Sequence, residues 1–269
     1  MKIPRPQDFE RIVVLTGAGI SAASGIPTFR DSNGLWENHR LEDVATPDAF
    51  ARDPYLVWRF YSMRRLHAGL AAPNPAHFAL DDFAAVHAGS MTLVTQNVDG
   101  LHRRAQGRGH LEAICMHGTL EKSRCTHCGH VWWDDRAWID AEGIASDARL
   151  IDESTRASDE ALHQYSIRVV DGLPQSPCCS ALLRPHIVWF GEEPLFMKHI
   201  IADLEKCDLF VSIGTSGVVY PAASFLELAK DVGAKTVVIN KEAIPQQHSV
   251  DHFLQGGAEE AVPRFFNSK

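Results

Sequence analysis

Short apolar runs rich in Val and Ile recur along the 269-residue chain and alternate with stretches of helical periodicity. Continuous apolar runs of this length are typical of parallel strands buried on both faces, with crossover helices between them. The pattern therefore predicts an α/β fold with a Rossmann-like, doubly wound parallel sheet. The predicted strands are Ile12–Thr16, Met91–Thr95, Ile187–Phe190, Leu209–Ile213 and Thr236–Ile239.

Helical patterns fill several of the intervals between these runs. The predicted helices are Tyr55–Leu70, Ala76–His87, Met197–Cys207 and Pro221–Asp231, the last beginning with a proline suited to a first helical turn. Two segments, 31–75 and 125–182, interrupt the alternation, and strand-like runs resume after each. We therefore expect a discontinuous nucleotide-binding domain (1–35, 76–118 and 183–269), a helical insertion at 36–75 and a smaller cysteine-bearing module at 119–182.

Composition narrows the classes of function. A formal net charge of −8 and a pI near 5.9 argue against binding nucleic acid through phosphate neutralisation. No apolar signal core opens the sequence and no stretch approaches the length of a membrane span, so we expect a cytoplasmic protein without membrane contact. Without a secretion signal, the six cysteines are expected to be thiols or metal ligands rather than disulfides.

The first predicted strand runs directly into a glycine turn, Gly17-Ala18-Gly19-Ile20-Ser21. Glycines there let the backbone turn sharply and approach a pyrophosphate, whose charge is favourable at a helix N-terminus. Ala22 stands where a dehydrogenase fingerprint has its third glycine, and no acidic residue ends a second strand at the usual distance, so a dehydrogenase is disfavoured. A plain tight turn remains an alternative.

Polar residues follow other predicted strands. Gln96, Asn97 and Asp99 come after the second strand, and amide and carboxylate groups suit ribose hydroxyls and a carboxamide. An Asx-type helix cap explains that run equally well. Later turns at strand ends carry Gly214-Thr215-Ser216 and Asn240, while Phe29 and Arg30, just after the glycine turn, could wall off a cofactor ring and clamp a phosphate unless they form a mere loop.

His117 lies between an apolar stretch and the cysteine module, and it is followed by Gly118. A histidine with an ordinary pKa can accept a proton at neutral pH, and the glycine permits close approach of a substrate. One histidine among 14 is more often structural, so the pattern alone leaves both interpretations open.

Taken in order, these motifs resemble the sirtuin family of NAD-dependent protein lysine deacylases. The matching segments are Gly17–Ser21, Gly25–Arg30, Thr95–Asp99, His117-Gly118, Arg184–Glu192, Gly214–Ser216 and Asn240, which span nearly the whole chain. The resemblance implies a Rossmann-like domain, a smaller zinc-bearing module, and a cleft that NAD and an acylated lysine enter from opposite sides. It implies free lysine, nicotinamide and O-acyl-ADP-ribose as products.

The resemblance also assigns roles by position. His117 is implied as the base that activates a ribose hydroxyl, with Asn97 as a second catalytic residue. The implied cofactor set is Gly17, Ala18, Gly19, Ser21, Phe29, Arg30, Gln96, Asn97, Asp99, Gly214, Thr215, Ser216, Asn240 and Ala258. Val188, Phe190 and Gly191 are implied to flank the lysine tunnel and pair with the substrate backbone.

Tyr61 and Arg64 lie three residues apart in a predicted helix and therefore share a face. The pair resembles the Tyr-x-x-Arg signature of the desuccinylase and demalonylase branch, which implies a preference for succinyl- or malonyl-lysine over acetyl-lysine. The alternative is that Tyr61 packs in the core with Phe60 while Arg64 faces water.

The cysteine module departs from the family pattern of two Cys-x-x-Cys-like pairs. Cys125-x-x-Cys128 is intact, but the second pair reads Ser176-Pro177-Cys178-Cys179, with serine where the family's first cysteine aligns. We predict one structural zinc ion held by Cys125, Cys128, Cys178 and Cys179. A histidine, His127 or His130, as fourth ligand, or no metal at all, remains open.

Two other functions compete with deacylation. Mono-ADP-ribosyl transfer would use the same NAD pocket, but the resemblance at Val188–Glu192 and at His117 disfavours it. A non-catalytic module that senses NAD or ADP-ribose would bind nucleotide at the same turns without chemistry. The expected partners are acylated proteins or peptides.

Overall fold

A computed structural model describes residues 3–27, 35–36, 39–134, 167–245 and 247–267, with side chains omitted at 35, 36, 39 and 247. Phe29 and Arg30 lie outside the described residues. The strands are β1 Arg11–Thr16, β2 Leu35–Trp36, β3 His39–Arg40, β4 Ser90–Thr95, β5 Ala113–Cys115, β6 Gly118–Cys125, β7 Val131–Trp133, β8 Arg168–Val170, β9 Leu173–Gln175, β10 Leu183–Ile187, β11 Leu209–Ile213, β12 Lys235–Asn240 and β13 His252–Gln255. The α-helices are α1 Leu41–Val44, α2 Pro47–Arg52, α3 Pro54–Leu70, α4 Pro75–Val86, α5 Leu101–Arg104, α6 Met197–Leu204, α7 Phe225–Asp231 and α8 Ala258–Phe266.

Six of these strands form a parallel sheet in the order β13-β12-β11-β1-β4-β5. Residues of β1 alternate between its two faces: Ile12 and Val14 pack with α4 and α8, whereas Val13 and Leu15 pack with α6 and α7. Burial on both faces explains why these strands read as unbroken apolar runs. The predicted α/β, Rossmann-like fold is confirmed.

A second structural unit of the chain, which we call the small module, comprises strands β6 to β10 and helix α3. Its three-stranded antiparallel sheet has the order β10-β6-β7, and β8 and β9 form a separate hairpin. Helix α3 packs against it, and Trp58 donates its indole N–H to the carbonyl of Leu183 at 2.8 Å. A hydrophobic cluster of its own, including Trp58, Tyr61 and Trp189, fills this region.

The predicted strand at Ile187–Phe190 is wrong in both position and partner. The strand is β10, it ends at Ile187, and it pairs antiparallel with β6 rather than joining the parallel sheet. Residues 188–192 instead turn, because Glu192 accepts hydrogen bonds from Arg184 at 2.7 Å and from the backbone N–H of Trp189 at 2.9 Å. The division into domains predicted above remains a prediction.

Helices α2, α3 and α4 begin in the same way, with a polar residue followed by a proline. Thr46 accepts a hydrogen bond from the N–H of Ala49 at 3.0 Å, and Asp53 accepts one from Leu56 at 2.9 Å. Asn74 completes a capping box before α4. A capping side chain satisfies a free N–H, and proline suits the first helical turn, so the two helices predicted at Tyr55 and Ala76 each begin one residue earlier, at the proline. No helix among the described residues is long and apolar enough to cross a membrane.

Candidate active site

The turns that follow β1, β4, β11 and β12 meet at the carboxyl end of the parallel sheet, and we call this the sheet edge. The glycine turn after β1 lies directly against the turn after β11: Gly19 donates its N–H to the carbonyl of Gly214 at 2.9 Å. A Cβ on Gly19 would lie 2.6 Å from the Cα of Gly214. The glycines are therefore required by the close approach of two backbones.

Polar side chains at the sheet edge are bonded to one another. Asn97 donates its amide to the carbonyl of Gly17 at 3.0 Å and to the hydroxyl of Ser21 at 3.1 Å. Ser21 in turn donates to Asp99 at 2.7 Å, and both are buried. Asp99 also accepts from the N–H of Leu101 at the start of α5, so it forms an Asx turn just before that helix. The structure thus brings together residues 17, 21, 97 and 99.

The remaining predicted cofactor residues occupy the neighbouring turns. Gln96 follows β4 directly, and its N–H donates to the carbonyl of Thr16 at 2.9 Å. Asn240 ends β12 and donates its amide to the carbonyl of Thr215 at 3.1 Å. Ala258 begins α8 and is buried in the core cluster behind the sheet edge. Ala18 and Ser216 lie in the turns after β1 and β11.

His117 lies where the two sheets join, in the two-residue step between β5 and β6. Its Nδ1 is 3.2 Å from the carbonyl oxygen of Gln96. A carbonyl can only accept, so Nδ1 carries the proton in this bond and the Nε2 lone pair is left as the basic atom. Burial lowers the pKa of His117 below its ordinary value, against the opposing effect of the bond to Gln96. The imidazole is therefore neutral, and basic, at physiological pH.

A buried network beneath the sheet edge was not selected from the sequence. His102 Nε2 is 2.9 Å from the hydroxyl of Thr16, which donates to Thr95 at 2.8 Å, and Thr95 accepts from the N–H of Asn97 at 3.0 Å. Burial, together with the neighbouring His77, lowers the pKa of His102 to about 3, so His102 is neutral. Because Thr16 gives its proton to Thr95, the Nε2 of His102 carries a proton and donates to Thr16. The histidine stands within the polar run after β4, but sequence alone does not indicate its contact with β1.

Segment 188–192 reaches from His117 to helix α3. Val188 donates its N–H to the carbonyl of His117 at 2.9 Å, and Phe190 donates its N–H to that of Ala45 at 3.0 Å. These two donors are engaged inside the protein, so the expected pairing with a substrate backbone would use other groups of the segment. Gly191 has a φ of 88°, in the left-handed region that favours glycine.

Tyr61 and Arg64 lie beside this segment. The hydroxyl of Tyr61 accepts the indole N–H of Trp189 at 3.0 Å, and burial raises the pKa of Tyr61, with the nearby Arg64 cation opposing the rise. Tyr61 therefore keeps its proton and can act as a donor. Its ring also packs edge-on against Phe60, as the core alternative expected, but Arg64 is half-buried rather than turned fully to water.

Four cysteine sulfurs of the small module gather at one point. Cys125, Cys128, Cys178 and Cys179 place their Sγ atoms within 4.8 Å of one another. The pairs 125–179, 128–178 and 178–179 are 3.4, 3.2 and 3.6 Å apart. Sulfurs at the corners of a zinc tetrahedron lie about 3.8 Å apart, given Zn–S bonds of about 2.3 Å. The cluster could therefore hold one zinc ion, while His130 packs instead against the ring of Trp132.

Comparison with known proteins identifies the family to which this chain belongs. The profile of the Sir2 family matches residues 17–221. The chain belongs to the Sir2 family. Among curated relatives of this sirtuin, an NAD-dependent protein deacylase of Shewanella oneidensis is 43% identical over 265 residues, covering 97% of this chain and 94% of the relative. One of Bdellovibrio bacteriovorus is 45% identical over 264 residues, covering 96% and 95%.

Solved structures resemble this sirtuin over nearly its full length. A mutant Sir2 homologue in complex with ADP-ribose has a TM-score of 0.80 and 34% identity, covering 97% of this chain and 92% of that one. A complex of a Sir2 homologue with NAD has a TM-score of 0.78 and 34% identity, covering 97% and 90%. The turns that form the sheet edge therefore belong to a fold that binds these nucleotides in its relatives.

Proposed function

We propose that this sirtuin is an NAD-dependent protein-lysine deacylase that prefers succinyl- or malonyl-lysine and releases nicotinamide and O-acyl-ADP-ribose. Membership of the family and the curated relatives named NAD-dependent protein deacylase support the deacylase activity. The finer preference depends on one observation, the proximity of Arg64 to Tyr61 on the face of α3 that contacts Trp189.

The sheet edge suits NAD as co-substrate. NAD supplies a ribose carbon whose bond to nicotinamide can be replaced by a bond to the acyl oxygen. The glycine turn after β1 lies directly against the turn at Gly214-Thr215-Ser216, so both turns are placed at the carboxyl end of the parallel sheet, the edge at which ligands bind in open α/β sheets. Hydrogen bonds with Ser21 fix the side chains of Asn97 and Asp99, and we expect these two residues to contact the ribose and the carboxamide.

The base in this proposal is His117. Nδ1 is held by the carbonyl of Gln96, so Nε2 accepts a proton from a ribose hydroxyl. We expect Val188 and Phe190 to flank the acylated lysine, and Trp189, which donates to the hydroxyl of Tyr61, to connect that segment to the face of α3 that carries Tyr61 and Arg64. The zinc-binding cysteines stabilise the small module and take no part in the reaction.

Charge complementarity argues for an acidic acyl group. A guanidinium can bind a carboxylate with two parallel hydrogen bonds, and a protonated tyrosine can add a third. A charge-assisted pair in a partly buried site contributes about 1.5–3 kcal/mol, or roughly ten- to a hundredfold in selectivity. Acetyl-lysine offers no carboxylate and gains nothing from Arg64.

The test compares kcat/KM on succinyl-lysine and acetyl-lysine peptides of one sequence, with nicotinamide release and peptide mass as readouts. Arg64→Met is expected to lose about ten- to a hundredfold on the succinyl peptide and little on the acetyl peptide. Arg59→Met, an exposed arginine on the same helix, is the matched control and should change neither. A native preference for acetyl, or equal losses on both peptides, would contradict the acyl preference. Nucleotide binding without nicotinamide release would contradict deacylation itself.

A further inference from the structure

Ser176 lies beside the four cysteines, but it is neither a predicted zinc ligand nor part of the proposed active site. Its side chain is buried, with 1% of the residue exposed, and its Oγ lies 2.9 Å from the Sγ of Cys178. Three of the four cysteines are by contrast exposed. A buried hydroxyl against a sulfur at the surface of a module requires an explanation, because polar groups are buried when they have a partner.

The backbone fixes this hydroxyl in place. Ser176 donates its N–H to the carbonyl of Ala181 at 2.7 Å, and its own carbonyl accepts the N–H of Ser180 at 2.9 Å. Ser180 closes the turn with a φ of 56°, in the left-handed region that few residues with side chains adopt. The turn therefore presents Ser176 Oγ and the sulfurs of Cys178 and Cys179 to the same point.

A zinc-bound cysteine is a thiolate, so it can accept a hydrogen bond but not donate one. The hydroxyl of Ser176 must then be the donor. Four thiolates exceed the charge of one zinc ion by two, and donors to sulfur offset part of that excess. A hydroxyl is a poor zinc ligand compared with a thiolate, so donation suits Ser176 better than coordination.

We propose that Cys178 supplies the ligand that a cysteine at position 176 supplies in the family pattern, and that Ser176 donates a hydrogen bond to the zinc-bound thiolate of Cys178. One implication of the resemblance and one observation support this exchange. The resemblance aligns Ser176 with a cysteine of the family pattern, and the sulfur of Cys178, two residues later, lies 3.2 Å from that of Cys128. In this proposal the ligating sulfur comes from Cys178 rather than from position 176, and the serine at position 176 donates a hydrogen bond to that sulfur.

The donor half of the proposal is tested by zinc affinity in the full-length protein, measured by competition with a chromogenic chelator. Ser176→Ala is expected to weaken zinc binding about 10- to 100-fold, the usual effect of removing a partner of a metal ligand. Thr126→Ala is the matched control, because it deletes a hydroxyl beside the cluster that bonds to the carbonyl of Leu182 and not to sulfur. Equal zinc affinity in Ser176→Ala and the native protein would overturn the donor role, as would an equal loss in both variants.

The ligand half is tested with cobalt in place of zinc, since the sulfur-to-cobalt charge-transfer band reports the number of bound thiolates. Cys178→Ser should lose intensity equivalent to one thiolate and bind metal more weakly. Adding Ser176→Cys to that variant should restore both the band and the affinity. Native intensity in Cys178→Ser, or no recovery in the double variant, would overturn the exchange.

Discussion

The sheet edge and the small module face each other across His117, yet different kinds of contact hold them. At the sheet edge, backbones touch at Gly19 and Gly214, and short side chains such as Ser21 and Asn97 bridge the turns. The small module is held by long side chains. Arg65 and Asp134 form an ion pair whose side chains are 1% and 0% exposed, and Arg184 lies 3.5 Å over the ring of Trp189.

The difference indicates which substitutions each region can tolerate. Where the backbones of Gly19 and Gly214 touch, a larger side chain cannot be added without separating the two turns, so this part of the sheet edge tolerates little change. Contacts between side chains can be changed one residue at a time, so in the small module the cost of a substitution depends on how deeply its contact is buried. The following experiments test that contrast, in order of decreasing effect.

The largest effect is expected at the junction of the two regions. His117→Ala should lower kcat/KM by about 10²–10⁴, because the proposed base is removed while the turns proposed to bind nucleotide remain. Deacylation is measured alongside ADP-ribose binding, which should be unchanged. His248→Ala, at an exposed position, is the control. Activity within a few-fold of native would exclude His117 as the base.

As the proposed base, His117 should also set the acid limb of the pH–rate profile. A base must be neutral to act, so activity falls as pH drops through its pKa. Because burial lowers the pKa of His117, that limb should lie below pH 6.5.

The next effect tests whether charged side chains hold the small module. Asp134→Asn leaves Arg65 buried without its counter-charge and should reduce the free energy of unfolding by about 3–5 kcal/mol. Chemical denaturation measures this loss. The control is Asp43→Asn, which removes an ion pair with Arg52 whose side chains are 46% and 59% exposed and should cost under about 1 kcal/mol. Similar values for both variants would argue against a special role for the buried pair.

A smaller effect is expected where backbones meet. Gly19→Ala adds a Cβ at 2.6 Å from the Cα of Gly214 and should cost about 1–3 kcal/mol, because the two turns must separate. ADP-ribose affinity should fall with stability. Gly256→Ala, whose Cβ would lie 3.5 Å from the nearest atom of Ala261, is the matched control and should bind normally. If Gly19→Ala bound ADP-ribose as tightly as the control, the close approach would not be essential.

The effect that is smallest at neutral pH concerns acid stability beneath the sheet edge. Burial lowers the pKa of His77 to about 4 and that of His102 to about 3, so the unfolded chain binds more protons below pH 6.5. The contribution of these two neutral histidines to the free energy of unfolding is therefore fully present above pH 6.5. It falls as the pH decreases, by about 1.4 kcal/mol per pH unit for each histidine. His102→Gln retains a donor to Thr16 and should show a shallower decline between pH 6.5 and 5 in urea denaturation. An unchanged slope would contradict this account.

The sequence predicted those features that depend on neighbours along the chain. Strands β1, β4, β11 and β12 are buried on both faces and read as apolar runs, and the turns after them follow directly. Helix α8 was not predicted, since Pro263 within it interrupts the pattern of a helix. Strand β13 was missed as well, since it is an outermost strand of the parallel sheet and is only half-buried.

Contacts between distant residues account for the rest. The apolar run that leads to Phe190 carries no signal of its partner, so nothing in it distinguishes pairing with β6 from a place in the parallel sheet. The bond from Trp189 to Tyr61 joins residues 128 positions apart, and that from His102 to Thr16 joins residues 86 apart. Only the fold brings these residues together.

The peptide unit between Val188 and Trp189 determines the distance between His117 and helix α3. The N–H of Val188 donates to the backbone carbonyl of His117, and the side chain of Trp189 donates to Tyr61, so one peptide unit separates the proposed base from the face of α3 that carries Tyr61. Glu192 holds that unit by accepting from the N–H of Trp189 and from Arg184. In the proposed deacylase the backbone would therefore set the distance between His117 and α3, and we expect acyl groups of other lengths to require different side chains on that helix.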